Sequence, residues 1–147
     1  MTVNSKTYSQ KPTEVSRRWV LIDAASAPLG RVAVLAAKHL IGKYKTTYTA
    51  HVDGGDYVVI INAKDLVVTG TKETDKMYHY HSGYPGGMRD LSLADLRAKS
   101  PETIIIEAVK GMLPRNKLAA GRLERLRVFA GSDHTHTAQT PEKVEVK

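Results

Sequence analysis

The sequence predicts an α/β fold: a mainly parallel four-stranded sheet with helices packed on it, flanked by a basic N-terminal arm and an extended C-terminal tail. Three observations carry that expectation. The run Tyr57 to Ile61 (YVVII) is continuously apolar and mostly β-branched, as a strand covered on both faces requires. An earlier apolar run rich in strand formers, Trp19 to Ile22, is separated from it by a stretch with helical periodicity. Strand, helix, strand normally forms a parallel pair with a right-handed crossover, the unit from which layered α/β domains are built.

Taken in order, the first eighteen residues are polar, include Pro12 and show no apolar periodicity, so they read as an arm ending in Arg17 and Arg18. Order begins at Trp19. Residues Asp23 to Gly30 have the composition of a connecting loop. From Arg31, apolar residues recur at Val32, Leu35, Ala36 and Leu40, one helix face, and Gly42 is placed to end it. Lys43 and Lys45 follow, where complementing the helix dipole and contacting a phosphate are equally good readings. Leu66 to Thr69 offers a third strand before a turn at Gly70 to Lys72. Ser92 can cap a short helix with Asp95 three residues on, and Ser100 with Pro101 starts another whose face is Ile105, Val109 and Met112. Thr103 to Ile106 could equally be a strand. Leu118 to Leu126 reads as a last, basic helix, Val128 to Ala130 as the fourth strand, and Ser132 onward as the tail. The expected organisation is an arm over 1–18, one α/β domain over 19–131 and a tail over 132–147, in keeping with a chain of 147 residues.

Composition narrows the function. No run approaches the roughly 20 apolar residues that span a bilayer. The N-terminus lacks the apolar centre of a secretory signal, so a cytoplasmic protein is expected. Cysteine is absent, which removes disulfides, thiolate metal sites and cysteine nucleophiles. A net charge of +7 and a pI near 9.6 favour a polyanionic partner. That charge is uneven: residues 1–20 carry four basic and one acidic residue, 21–75 six of each, and 76–147 twelve basic and eight acidic. The flanks, rather than the middle, are basic.

Motifs for chemistry are scarce. The strand-to-helix connection after Ile22 holds only Gly30, with no G-x-G-x-x-G and no phosphate-binding G-x-x-x-x-G-K-[ST], so no nucleotide cofactor is expected. Asp23, Asp53 and Asp56, with the pairs His79/His81 and His134/His136, would be the parts of a metal-dependent nuclease. Asp53-Gly54-Gly55-Asp56 has turn composition, however, and no recognised ligand pattern completes the histidines. An enzyme is therefore not expected.

The segment Lys76 to Arg89 (KMYHYHSGYPGGMR) differs from the rest. Three tyrosines are interleaved with two histidines, framed by Lys76 and Arg89 and closed by Gly83, Gly86 and Gly87. Aromatic faces stack on unpaired bases, cations neutralise phosphates, and glycines admit a sugar–phosphate backbone. One of Tyr78 and Tyr80 could equally alternate into the core as an ordinary strand residue, which leaves Tyr84, His81 and Arg89 to touch RNA, with Lys76, His79, Ser82, Gly86 and Gly87 beside them. Gly111 to Lys117 places a helix break that delivers Arg115, Asn116 and Lys117 together. Lys110, Arg127 and an exposed face carrying Arg122 and Arg125 would extend that corner. Further contacts are expected from Lys6, Lys11, Arg17 and Arg18 in the arm, from Arg31, Lys43, Lys45 and Lys72 in the domain, and from His134 and His136 in the tail. The core is then a scaffold, and these separate elements grip separate RNA helices.

Several segments together are recognisable: Trp19 to Ala24 (WVLIDA), Leu29 to Arg31 (LGR), Gly42-Lys43, Asp53 to Asp56 (DGGD) with Asn62-Ala63, Thr69 to Lys72 (TGTK), His81 to Gly87 (HSGYPGG), Val109 to Asn116 (VKGMLPRN), and His134 to His136 (HTH) with Ala138 to Pro141 (AQTP). The chain thereby resembles the bacterial large-subunit ribosomal protein L-thirteen family over nearly its whole length. Ala50, Thr135 and Phe129 depart from that family's usual proline, proline and tyrosine. The resemblance implies a three-layer α/β/α domain, no enzyme activity and no cofactor, membrane or small-molecule substrate. It also implies a monomer within the cytoplasmic ribosome, contacting large-subunit ribosomal RNA and neighbouring large-subunit proteins and acting early in assembly. A free regulator that binds messenger RNA is the other binding protein these residues could make.

Overall fold

A computed structural model of the chain describes residues 7–146. Lys6, one of the arm cations expected to contact RNA, lies outside the described residues. The elements run β1 (Trp19–Asp23), α1 (Leu29–Ile41), β2 (Tyr57–Ile61), α2 (Lys72–Asp75), β3 (Met77–His81), β4 (Met88–Ser92), α3 (Leu93–Lys99), α4 (Pro101–Met112), α5 (Leu118–Glu124), β5 (Leu126–Val128) and β6 (Glu142–Lys143).

β1, α1 and β2 form the expected crossover unit, with Trp19 beside Tyr57 and Asp23 beside Ile61 in parallel register. The main sheet has the order β5-β2-β1-β6 and every pairing in it is parallel. Val20, Ile22, Val58 and Ile60 join one core with Val32, Ala33, Ala36 and Leu40 of α1 and Ile104, Ile105 and Val109 of α4. At alternate positions, Trp19 and Tyr57 stack with ring centroids 4.4 Å apart, and His136 of the tail lies 4.8 Å from the Trp19 ring. Gly42 ends α1 in the left-handed conformation, with φ at +80°.

The sheet is four-stranded as expected, but its fourth strand is a different segment. Leu66 to Thr69 makes only one bridge, from Val67 to Pro28, with Leu29 N–H donating to the Val67 carbonyl at 3.0 Å. The chain turns into α1 at Leu29, so the ladder goes no further, while Leu66 is drawn into the core instead. The vacant edge of β1 is taken by Glu142 and Lys143, with Val144 N–H donating to Leu21 O at 2.9 Å. Val144 and Val146 then pack against the core. The tail is extended, yet it closes the sheet.

Two smaller differences have local causes. β5 covers Leu126–Val128 rather than 128–130, because Phe129 and Ala130 turn to hydrogen-bond with residues 60, 63 and 64. Thr103 to Ile106 is helical within α4: Pro101 starts the helix, and Ile104, Ile105 and Val109 then fall on its buried side. The Ser92–Asp95 capping box forms as the spacing suggests.

Candidate nucleic-acid interface

The segment 76–89 folds as an antiparallel hairpin of β3 and β4 separate from the main sheet. Its tip is tight: Ser82 N–H donates to Gly87 O at 3.1 Å and Gly87 N–H to Tyr84 O at 2.9 Å. A Cβ on Gly87 would meet Ser82 Oγ, which can rotate away, and would lie 2.9 Å from the Tyr84 carbonyl oxygen, so the turn backbone disfavours a side chain here. Tyr84 projects from the tip and is 75% exposed. Near the root, Tyr78 and its cross-strand partner Leu91 pack on the core, while Tyr80 and its partner Arg89 are exposed one step further out. Tyr78 is thus the tyrosine that goes inward. Burial pushes its phenol pKa up, and its hydroxyl has no hydrogen-bond partner among the described residues. His79 is exposed but engaged, with Nδ1 2.6 Å from Asp90 Oδ1, and His81 Nδ1 accepts from Gly83 N–H at 3.0 Å. Ser82 and Gly86 are exposed at the tip.

Arg31, Lys72 and Lys76 come from α1, α2 and the residue after α2, yet the fold brings them to one cleft of about 640 Å³. Lys76 also lies 5.2 Å over the Tyr78 ring. On the α4–α5 connection, Arg115, Asn116 and Lys117 are all exposed, and the Asn116 side chain accepts from Leu118 N–H at 3.2 Å, which shapes the corner. Lys110 is exposed and 3.3 Å from Glu107. Arg127, Lys43, Lys11, Arg17 and Arg18 are exposed. Among the described residues, Arg31, Lys72, Arg89, Arg115, Lys117 and Arg127 have no carboxylate within 4 Å. Cations placed in this way are available to phosphates.

Arg122 and Arg125 do not form the exposed face that their spacing suggests. The Arg122 side chain is 1% exposed and the Arg125 side chain 9%. Both point inward to Asp53: Arg125 holds its two carboxylate oxygens with two separate guanidinium nitrogens, and Arg122 Nε lies 3.5 Å away. Arg125 also donates to the Leu40 and Gly121 carbonyls at 3.2 and 3.1 Å. Burial works to raise the Asp53 pKa, but the hydrogen bonds and charge of Arg125, with Arg122 and Arg17 behind it, outweigh that and hold it below the usual carboxylate value.

Lys45 is likewise consumed. Its ammonium donates to Asp56 Oδ1 at 2.6 Å and to the Ser16 and Gly54 carbonyls, both at 2.8 Å. Burial pushes the Asp56 carboxyl up against the pull of the Arg18 backbone N–H and the nearby arginine charges, and burial together with the charges of Arg17, Arg18 and Arg125 pushes the Lys45 ammonium down. Asp56 also accepts from Arg18 N–H at 2.9 Å, and the Asp53 carbonyl from Arg17 at 3.1 Å. A Cβ on Gly55 would lie 1.8 Å from the Leu40 carbonyl oxygen, so only glycine lets this loop meet the end of α1. The motif Asp53 to Asp56 is therefore a hub that pins arm, α1 and α5 together. The third candidate acid, Asp23, is also committed to the fold, accepting from Ala25 N–H and the Asn62 side chain. Among the described residues, no group of three or more potential metal ligands is assembled.

His134 and His136 are half-buried around Phe129, which lies 6.3 and 5.9 Å from their rings, so they help seat the tail against the sheet. Tyr44 and Tyr48 are exposed residues that the sequence reading did not single out. They are 49% and 39% exposed in the loop after α1, next to Lys43. The signal was present, since Lys43 to Tyr48 (KYKTTY) sets tyrosines among lysines.

Residues 17–135 match the profile of the family described as "Ribosomal protein L13". The chain is 51% identical over 141 residues to "Large ribosomal subunit protein uL13" of Alcanivorax borkumensis, covering 96% of this chain and 99% of that protein. It is also 51% identical over 142 residues to the protein of that name from Clostridioides difficile, covering 97% and 99%. The Pseudomonas paraeruginosa protein of the same name is 50% identical over 141 residues, covering 96% and 99%.

Proposed function

The chain belongs to the ribosomal protein L13 family, and from that membership together with its surface we propose that it is a structural constituent of the large ribosomal subunit in the cytoplasm. In this reading it binds 23S-type ribosomal RNA, meets neighbouring large-subunit proteins as a single copy, and acts early in subunit assembly. The observation that carries RNA binding is the set of exposed cations without a carboxylate within 4 Å among the described residues, spread over the hairpin (Arg89), the α1–α2 cleft (Arg31, Lys72), the α4–α5 corner (Arg115, Lys117) and Arg127. Patches on separate elements suit a protein that holds several RNA helices in fixed relation, with RNA shape counting for more than base sequence. The contacts belong to these exposed groups and to Lys11, Arg17, Arg18, Lys43, Lys76, Lys110, Asn116 and the hairpin tip. Arg122, Arg125 and Lys45 serve from within, by fixing the elements that carry them.

The test is sedimentation of a gentle lysate through a sucrose gradient with the chain followed by antibody. It should travel almost wholly with the large subunit and its precursors. Recovery mainly in light messenger-bound fractions would support a free regulator instead. Depleting the chain should make incomplete large-subunit particles accumulate, and normal subunit assembly without it would remove the early role.

A further inference from the structure

We infer that the cleft between the hairpin and the α3–α4 corner is a slot for one unpaired RNA nucleotide, with its base against Tyr80 and its phosphates between Arg89 and Lys99. This rests on the RNA-binding reading above and gives that surface a specific ligand. The cleft measures about 380 Å³, near the lower end of the roughly 300–1,000 Å³ of small-molecule sites, which suits a single nucleoside and not a duplex.

Its construction explains the choice. Tyr78 and Leu91 anchor the hairpin root on the core, so the next cross-strand pair on the same face, Tyr80 and Arg89, overhangs the junction of α3 and α4. Leu91 and Leu96 supply apolar lining, and Tyr80 supplies an aromatic face that is 36% exposed. Such a face stacks with any base. Arg89 and Lys99 line the same cleft and are exposed, with no carboxylate within 4 Å among the described residues, and none of the residues lining the cleft is acidic. Ser100 Oγ lies 2.8 Å from Thr103 Oγ1 and also donates to Glu102 Oε2 at 3.4 Å, which leaves the Thr103 hydroxyl oxygen able to accept from a base edge or a 2′-hydroxyl. Aromatic, aliphatic, cationic and hydroxyl groups therefore converge where a segment of acidic protein would find charge but no use for the stacking face. Tyr84, by contrast, stands alone at the tip. An isolated two-stranded hairpin is marginal by itself, so filling the slot also fixes the hairpin to the body.

The full chain is titrated with a protein-free fragment of large-subunit RNA that it binds, over a range of salt, alongside Tyr80→Leu, Tyr80→Phe and Lys99→Ala. Tyr80→Leu should weaken binding about tenfold, as loss of one stacked base does, while Tyr80→Phe stays within about twofold. Lys99→Ala should lower the slope of log affinity against log salt by about one phosphate's share. Ultraviolet crosslinking of the unaltered complex, read by mass spectrometry, should attach a nucleotide to the peptide containing Tyr80. Hydrogen exchange of the hairpin amides should slow on binding, and do so less in Tyr80→Leu. Because Tyr80→Phe keeps the ring and removes only the hydroxyl, equal loss in both variants would assign the effect to that hydroxyl and not to the stacking face, and would overturn the slot. Unchanged RNA affinity and slope in Tyr80→Leu and Lys99→Ala would overturn it as well. If those variants bound RNA normally yet entered the subunit poorly, the occupant would be protein and the inference wrong. Failure of the unaltered chain to bind any large-subunit RNA would instead sink the parent reading, and this one with it.

Discussion

Replacing Asp53 by alanine should be among the most damaging single changes outside the apolar core. The carboxylate is the only one within 4 Å of Arg122 and Arg125 among the described residues, and their side chains are 1% and 9% exposed. Removing one partner of a buried ion pair typically costs about 3–5 kcal/mol, because the charge left behind has lost water without compensation. Two guanidiniums are left here. Two details hold the figure near the lower end: Asp53 is itself 19% exposed, so water can enter, and Arg125 keeps its bonds to the Leu40 and Gly121 carbonyls. A loss of about 3 kcal/mol is a large part of the roughly 5–15 kcal/mol that a domain has, and at about 2–4 °C per kcal/mol for this size it lowers Tm by roughly 6–12 °C. Urea denaturation followed by circular dichroism measures it, urea being preferred because guanidinium salts would screen the network. Asp53→Asn keeps the shape and loses the charge, so it should retain most of the loss. Adding Arg125→Met to Asp53→Ala should cost less than the two single changes together, since the second removes a charge that the first stranded. A loss below about 1 kcal/mol for Asp53→Ala, with an unchanged m-value, would refute the view that this carboxylate holds the two arginines in place.

The same carboxylate sets an acid limb. Its folded pKa is depressed, so its contribution is fully present above the unfolded value of about 4 and is lost as pH falls through the folded value below that; Asp53→Asn should flatten the stability profile over that window in urea titrations at stepped pH. Gly55→Ala should destabilise by about 3 kcal/mol, because its Cβ meets the Leu40 carbonyl oxygen at 1.8 Å. Gly111→Ala, at a helical position in α4 with open space, should stabilise by up to about 1 kcal/mol, and thermal melts of the two variants should shift in opposite directions. Arg115→Ala should leave stability within about 0.5 kcal/mol and reduce the salt slope of RNA binding by about one; an unchanged slope would move the contact off the α4–α5 corner.

Much of the domain was legible in the sequence. β2 announced itself through a run of β-branched residues, α1 through its apolar spacing and terminal glycine, and α3 through the serine and aspartate of its capping box, because each of these signals acts within a few residues. The candidate surface was legible where side chains are exposed for want of a partner, as at Arg89, Arg115 and Lys117. Residue type and local spacing alone also determined the charge balance, the helical and β-branched segments and the family resemblance.

Only the tertiary structure decided which cations face out. Arg122 and Arg125 have the helical spacing of an exposed basic face, and nothing local distinguishes them from Arg115; a carboxylate some seventy residues earlier in the chain draws them inside. Tyr78 and Tyr80 alternate identically in sequence, and which of them meets the core depends on how the hairpin root docks. The edge strand left only a short trace in the sequence, the alternating Val144 and Val146 that follow it. Glu142 and Lys143 have no strand propensity to show; they are extended because the edge of β1 presents unpaired backbone groups, and pairing with a backbone requires no particular side chain.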